Sequence, residues 1–119
     1  MARILVVDDE PAQRFLLRRI FERAGHEVTD AGDGAAALRA ARESPPDLVV
    51  TDMMMPVMDG NELIRRLRSE PATAGIPILA TTGDPHLAVE ADAVIAKPYK
   101  WEHLTKVAEG LLREGRGNQ

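Results

Sequence analysis

The chain contains no cysteine. That single absence excludes disulfides, thiolate catalysis and cysteine-ligated zinc together. Aromatic residues are scarce, at 3%, so a core must be built from Val, Ile, Leu, Ala and Met. No apolar stretch approaches the ~20 residues of a membrane span. Arg3-Ile4-Leu5-Val6-Val7 follows Met1 and Ala2 without the three-part pattern of a signal peptide. The cytoplasm is the expected compartment. There is no basic excess either: 15 basic and 19 acidic residues give a net charge of −4. A sequence-independent grip on nucleic acid is not expected from that balance. What is present is 119 residues, 45% of them apolar. That is the size of one ordinary domain, able to bury roughly two-thirds of its unfolded surface.

Ile4 to Val7 is a short apolar run closed by Asp8-Asp9. It reads as a strand buried on both faces, as in parallel sheets. Pro11 to Ala24 reads as a helix, capped by Asp9 or Glu10 and followed by Gly25. Phe15, Leu16, Ile20 and Phe21 supply its expected buried stripe; Arg14, Arg18, Arg19 and Arg23 supply its wet side. His26 to Ala31 is a second strand at or near an edge. Asp33-Gly34 opens a helix over Ala35 to Glu43, ahead of Pro45-Pro46. Leu48 to Thr51 is the next buried strand and ends in Asp52. Pro56 and Asp59-Gly60 mark a turn before a helix over Glu62 to Ser69.

Ile76 to Thr81 is the fourth strand, with Pro77 near its start. Ala93 to Ala96 is the fifth. Only about five residues, His86 to Glu90, remain between them, room for little more than one helical turn. Trp101 to Arg113 is the last helix, with Leu104, Val107, Ala108, Leu111 and Leu112 on one face. Strands and helices alternate, so the expected fold is an α/β sheet with helices on both sides.

In such sheets ligands bind at the carboxyl ends of the strands. Asp8, Asp9, Asp52, Thr82 and Lys97 all fall there, converging from four strands. Carboxylates packed that closely repel one another, and a divalent cation relieves the repulsion. Oxygen ligands without nearby His or Cys favour Mg²⁺, with Mn²⁺ as a substitute, over zinc. Asp9 and Asp52 would hold the ion and Asp8 would reach it through water. Asp52 is then the natural nucleophile for a phosphoryl group. Lys97 would place its ammonium on a phosphoryl oxygen. Thr82 would offer a hydroxyl to another, a contact that exists only after phosphorylation.

Four motifs stand in order: Val-Val-Asp8-Asp9-Glu10, Asp52-Met-Met-Met-Pro56-Val-Met-Asp59-Gly60, Ile78-Leu-Ala-Thr-Thr82-Gly83 and Lys97-Pro98-Tyr99. With them the chain resembles the response-regulator receiver domains of two-component signalling, over residues 2 to about 113. The resemblance implies a flavodoxin-like, three-layer α/β/α fold with five parallel strands in the order 2-1-3-4-5. It implies that Asp52 accepts phosphate from a histidine kinase or a histidine phosphotransfer protein, in a two-component or phosphorelay pathway. Asp8 and Asp9 carry over as the acid pair, Thr82 as the switch hydroxyl and Lys97 as the site lysine. The backbone carbonyl of Met54 is implied as a further metal ligand, and a cis bond before Pro98 is implied too.

Three departures from the receiver pattern stand out. Val94 occupies the place, three before Lys97, where receivers usually carry Tyr or Phe. Gly83 follows Thr82 where Ala is commoner. Only fourteen residues separate Thr82 from Lys97, so the helix between the fourth and fifth strands is expected to be shortened or missing. Thr81 competes with Thr82 for the switch role; spacing from Asp52 and adjacency to Gly83 favour Thr82.

The resulting expectation is a receiver over residues 1–114 with a disordered polar tail at 115–119, monomeric or weakly dimeric. It is expected not to be an enzyme in the usual sense, because it accepts and loses its own phosphate. The alternative is a pseudo-receiver, a protein-interaction module that works without phosphate. A haloacid-dehalogenase-type phosphohydrolase would want an acid at position 54, where Met stands. A nucleotide or flavin module would want a Gly-rich turn after the first strand, where Asp8-Asp9-Glu10-Pro11 stands.

Overall fold

The computed structural model describes residues 1–84, 86 and 90–115. Its elements run β1 (Arg3–Val7), α1 (Pro11–Arg23), β2 (Glu27–Ala31), α2 (Gly34–Glu43), β3 (Leu48–Asp52), α3 (Gly60–Arg68), β4 (Ile78–Thr82), β5 (Ala93–Ala96) and α4 (Trp101–Glu114). The five strands form one sheet in the order β2-β1-β3-β4-β5, every pair parallel. This is the flavodoxin-like architecture and strand order expected from the motifs.

Side chains alternate across a strand, so each strand feeds two cores. Leu5, Val7, Val49, Ile78 and Ala80 pack with α2 and α3 residues such as Leu38, Leu63 and Leu67. Ile4, Val6, Leu48, Val50, Leu79 and Ile95 pack with α1 and α4 residues such as Leu17, Phe21 and Leu104. All five residues of β3 and of β4 are buried. The central strands therefore lack the polar alternation of a half-exposed strand.

Several boundaries differ from the sequence expectation for local reasons. β4 begins at Ile78 rather than Ile76, because Pro77 has no amide to donate to the ladder. α3 begins at Gly60 rather than Glu62. The Asp59 carboxylate accepts from the Glu62 amide at 2.9 Å, so the turn residue is the helix cap. Asp33 caps α2 in the same way, accepting from Ala36 at 2.7 Å.

On α1 the buried stripe is Leu17 and Phe21, with Ile20 half-buried. Phe15 and Leu16, expected inside, are 61% and 48% exposed. Once Leu17 and Phe21 face the sheet, the 100° step per residue swings positions 15 and 16 outward. Arg14 is less free than expected. Its Nη1 donates to the Asp8 carbonyl at 2.8 Å and its Nε to Asp30 at 3.1 Å.

The helical segment between β4 and β5 is present but short. His86 has 3₁₀ conformation; Pro85 and residues 87–89, which carry the rest of that expectation, lie outside the described residues. Of the polar tail, Gly115 closes α4 with φ +68°, and residues 116–119 lie outside the described residues.

Val57, in the loop between β3 and α3, has φ +68° and a fully exposed side chain. A β-branched residue in the left-handed region costs about 1–2 kcal/mol. Glycine removes that cost and returns part of it as chain entropy. Val57→Gly is expected to stabilise the protein by ~1 kcal/mol and raise its melting temperature by ~4 °C. Thermal melts followed by circular dichroism check this, and a lower melting point contradicts it.

Candidate functional site

β1 and β3 deliver their last residues to the same edge of the sheet. Asp8 follows Val7 directly, and Asp52 closes β3. Both are buried, at 1% and 6% exposure. Asp9, at the mouth of the loop, is the more open. One oxygen from each of Asp8, Asp9 and Asp52 lies within 4.8 Å of the others.

The loops around the edge hold these acids in place. The Asp8 amide donates to Ala31 at 3.2 Å, and its carboxylate accepts from the Glu10 amide at 2.9 Å. Behind Asp52, Gly60 brings the start of α3 close. A Cβ there would stand 2.7 Å from the Cα of Met53 and 3.0 Å from the Asp52 carbonyl. The Met54 amide points back at Asp52 Oδ1, 3.4 Å away.

β5 brings the cation. The Lys97 amide donates to the Thr82 carbonyl at 2.8 Å, extending the ladder one residue past the strand, and the Lys97–Pro98 bond is cis. Lys97 Nζ then reaches across β4 and donates to Asp52 Oδ1 at 3.1 Å. Four of the five predicted side chains therefore meet in one place. Thr82 sits at the same edge, but its hydroxyl is engaged with Asp84. It accepts from the Asp84 amide at 3.1 Å and donates to the Asp84 carbonyl at 3.2 Å.

Asp8 carries the electrostatic mark of its position. Burial, first, and then the neighbouring charges of Asp52 and Asp9 push the Asp8 carboxyl above the usual carboxylate range. The Glu10 amide and Lys97 pull the other way. Tyr99, two residues past Lys97, is half-buried, and its phenol is also pushed up. Burial is the main cause, followed by the negative charges of Asp8 and Asp52. Tyr99 is a site neighbour that its sequence position alone did not single out. Its direct succession to Lys97-Pro98 was the available signal.

The donor set suits a hard divalent cation. Oxygens bound to one Mg²⁺ lie at most about 4.2 Å apart, so these acids need only a slight contraction to share an ion. No helix is long and apolar enough to cross a membrane among the described residues.

The model of the response regulator receiver domain matches residues 4–109. The chain belongs to the receiver domain family. It is 38% identical to protein PilH of Pseudomonas aeruginosa over 123 residues, covering 94% of this chain and 98% of PilH. It is likewise 38% identical to the DNA-binding response regulator MtrA of Mycolicibacterium smegmatis over 118 residues. There the match covers 93% of this chain but 50% of MtrA, so this receiver spans about half the length of that relative. Among solved structures, it is similar to the response regulator protein TrrA of Thermotoga maritima in complex with Mg²⁺–BeF. The TM-score is 0.85 at 31% identity, covering 93% of this chain and 99% of TrrA. The pocket of Asp8, Asp9 and Asp52 fits the phosphoacceptor site of a receiver and supports divalent metal binding.

Proposed function

We propose that residues 1–114 form a receiver that is activated by phosphorylation of Asp52. The observation that carries this reading is the meeting of three carboxylates with Lys97, whose Nζ lies 3.1 Å from Asp52 Oδ1. In the reaction an Asp52 oxygen forms a bond to phosphorus as the P–N bond of a phosphohistidine breaks. The leaving imidazole departs on the far side, in line. Asp9 and Asp52 would hold Mg²⁺, or Mn²⁺ in its place, with the Met54 carbonyl as a further ligand and Asp8 acting through water. A bound ion would supply positive charge to offset that of the equatorial phosphoryl oxygens. Lys97 moves its ammonium from Asp52 to one of those oxygens.

The donor is a histidine kinase or a histidine phosphotransfer protein. The readout is altered binding of a downstream protein by a monomer or weak dimer, in the cytoplasm, without nucleic-acid contact by this domain. No dedicated substrate is turned over, because the receiver takes up and loses its own phosphate.

Incubation with Mg²⁺ and acetyl phosphate, followed by intact mass, tests the reading. A phosphoryl adduct supports it. No adduct, together with no response to beryllofluoride, would leave the phosphate-independent interaction module in its place.

Thr82 is the switch hydroxyl in this reading. Its two hydrogen bonds to Asp84 support the role, because the hydroxyl must leave Asp84 to meet a phosphoryl oxygen. The unphosphorylated and phosphorylated loops thus differ in which partner Thr82 holds. Thr82→Ala is expected to keep Asp52 phosphorylation while cutting the phosphorylation-dependent gain in partner affinity by ~10-fold, the worth of a hydrogen bond to a charged group. Titration of the partner with phosphorylated and unphosphorylated protein checks it; an undiminished gain moves the switch elsewhere.

A further inference from the structure

Among the described residues at this edge, Thr81 is the buried threonine whose hydroxyl has no hydrogen-bond partner; it is 1% exposed. Buried hydroxyls are nearly always satisfied, so an orphan of this kind calls for a reason. Valine has the same shape and would fill the position without that cost.

The register says what lies beside it. Thr81 pairs with Asp52 on β3 and with Ile95 on β5. Leu79, two residues before it, belongs to the core under α1 and α4, as do Val50 before Asp52 and Ile95 before Lys97. Alternation therefore puts Asp52, Thr81 and Lys97 on one face of the sheet. Lys97 starts from β5 and bonds Asp52 on β3, so its side chain spans β4. Beneath that span, β4 presents Thr81. Thr82 belongs by the same alternation to the opposite face, with Ala80, and its hydroxyl is already held by Asp84.

The geometry points to Thr81 as a positioning residue for the Lys97 ammonium in the phosphorylated state. The inference rests on the phosphoryl reading of Asp52. In the free protein the ammonium donates to Asp52 Oδ1. When Asp52 becomes an acyl phosphate, its own oxygens lose most of their charge and the ammonium turns to a phosphoryl oxygen. One of its three donors then needs a new acceptor on the same face, and Thr81 Oγ1 is the acceptor there without a partner. The hydroxyl is idle in one state and engaged in the other, so its cost in the free protein favours the loaded one.

Thr81→Val and Thr81→Ser, made in the full chain, test this. Saturation with beryllofluoride in the presence of Mg²⁺ reads the loaded state, and thermal melts without Mg²⁺ read the free one. Thr81→Val is expected to melt at or above the wild type, because it removes an orphaned hydroxyl. It is expected to need about tenfold more beryllofluoride for half-saturation, the worth of one hydrogen bond to a charged group. Thr81→Ser, which keeps the hydroxyl, is expected to restore most of that loss. A Thr81→Val protein that saturates like wild type overturns the inference. So does a lower melting point, which would make the hydroxyl structural, or a Thr81→Ser protein that stays as weak as Thr81→Val. If wild type takes up no beryllofluoride, the phosphoryl reading falls, and this inference with it.

Discussion

Asp52→Asn is expected to abolish the phosphoryl adduct while leaving the fold intact. The amide oxygen can still accept from Lys97 and from the Met54 amide, the two hydrogen bonds Asp52 Oδ1 receives in the native protein. Stability is therefore expected to change by no more than ~1 kcal/mol. An amide, however, is neither a nucleophile for phosphorus nor an anionic ligand for Mg²⁺. Loss of a nucleophile commonly costs many orders of magnitude, so uptake from acetyl phosphate is expected to fall by at least ~10³-fold. Intact mass with and without Mg²⁺ measures it. Persistent labelling of Asp52→Asn at another residue would sink the assignment, and a melt within a few degrees of wild type guards against trivial unfolding.

Asp9→Ala is expected to weaken Mg²⁺ binding by ~100-fold, since changes beyond the direct ligands already cost 10–100-fold. The effect has a pH signature, carried by Asp8. Its carboxyl titrates above the unfolded value near 3.8, chiefly because of burial. The folded protein thus binds that proton more tightly than the unfolded chain does. Below about 3.8 Asp8 is neutral in both states and adds no penalty. As pH rises from there through the folded pKa, the ionised group destabilises the metal-free fold, and the penalty is complete above it. A bound divalent cation offsets that charge. The rise in melting temperature produced by Mg²⁺ is therefore expected to grow across this acidic window and then level off. Calorimetric titration of wild type and Asp9→Ala, with melts at several pH values, measures both effects. Unchanged affinity in Asp9→Ala, or a Mg²⁺ shift that is flat from below pH 4 upward, would count against the metal site.

The site acids and Lys97 were legible because each closes a short apolar run. A parallel sheet has no choice but to gather such ends at one edge, so Asp8, Asp52 and Lys97 met as read. The strand order, which alternation of strands and helices leaves open, is the one that the resemblance to receiver domains implies. Position along the chain was enough for the strand ends, because the backbone ladder carries it directly into space. It was not enough wherever a side chain had to choose a direction or a partner. Phe15 and Leu16 turned outward because the phase of α1 is set by Leu17 and Phe21 docking on the sheet. Arg14 left the wet side because the Asp8 carbonyl, at the end of β1, and Asp30, on β2, both end beside it. The Thr82 hydroxyl found Asp84 through a local turn rather than the acid cluster. The orphaned state of Thr81 needed the packing of β3, β4 and β5 together to become visible. Sequence by itself determined which chemical groups arrive at the carboxyl edge, since period and run length govern burial. Only the tertiary structure decided which of those groups touch, since hydrogen bonding acts over about 3 Å and depends on neighbours that the linear order keeps far apart.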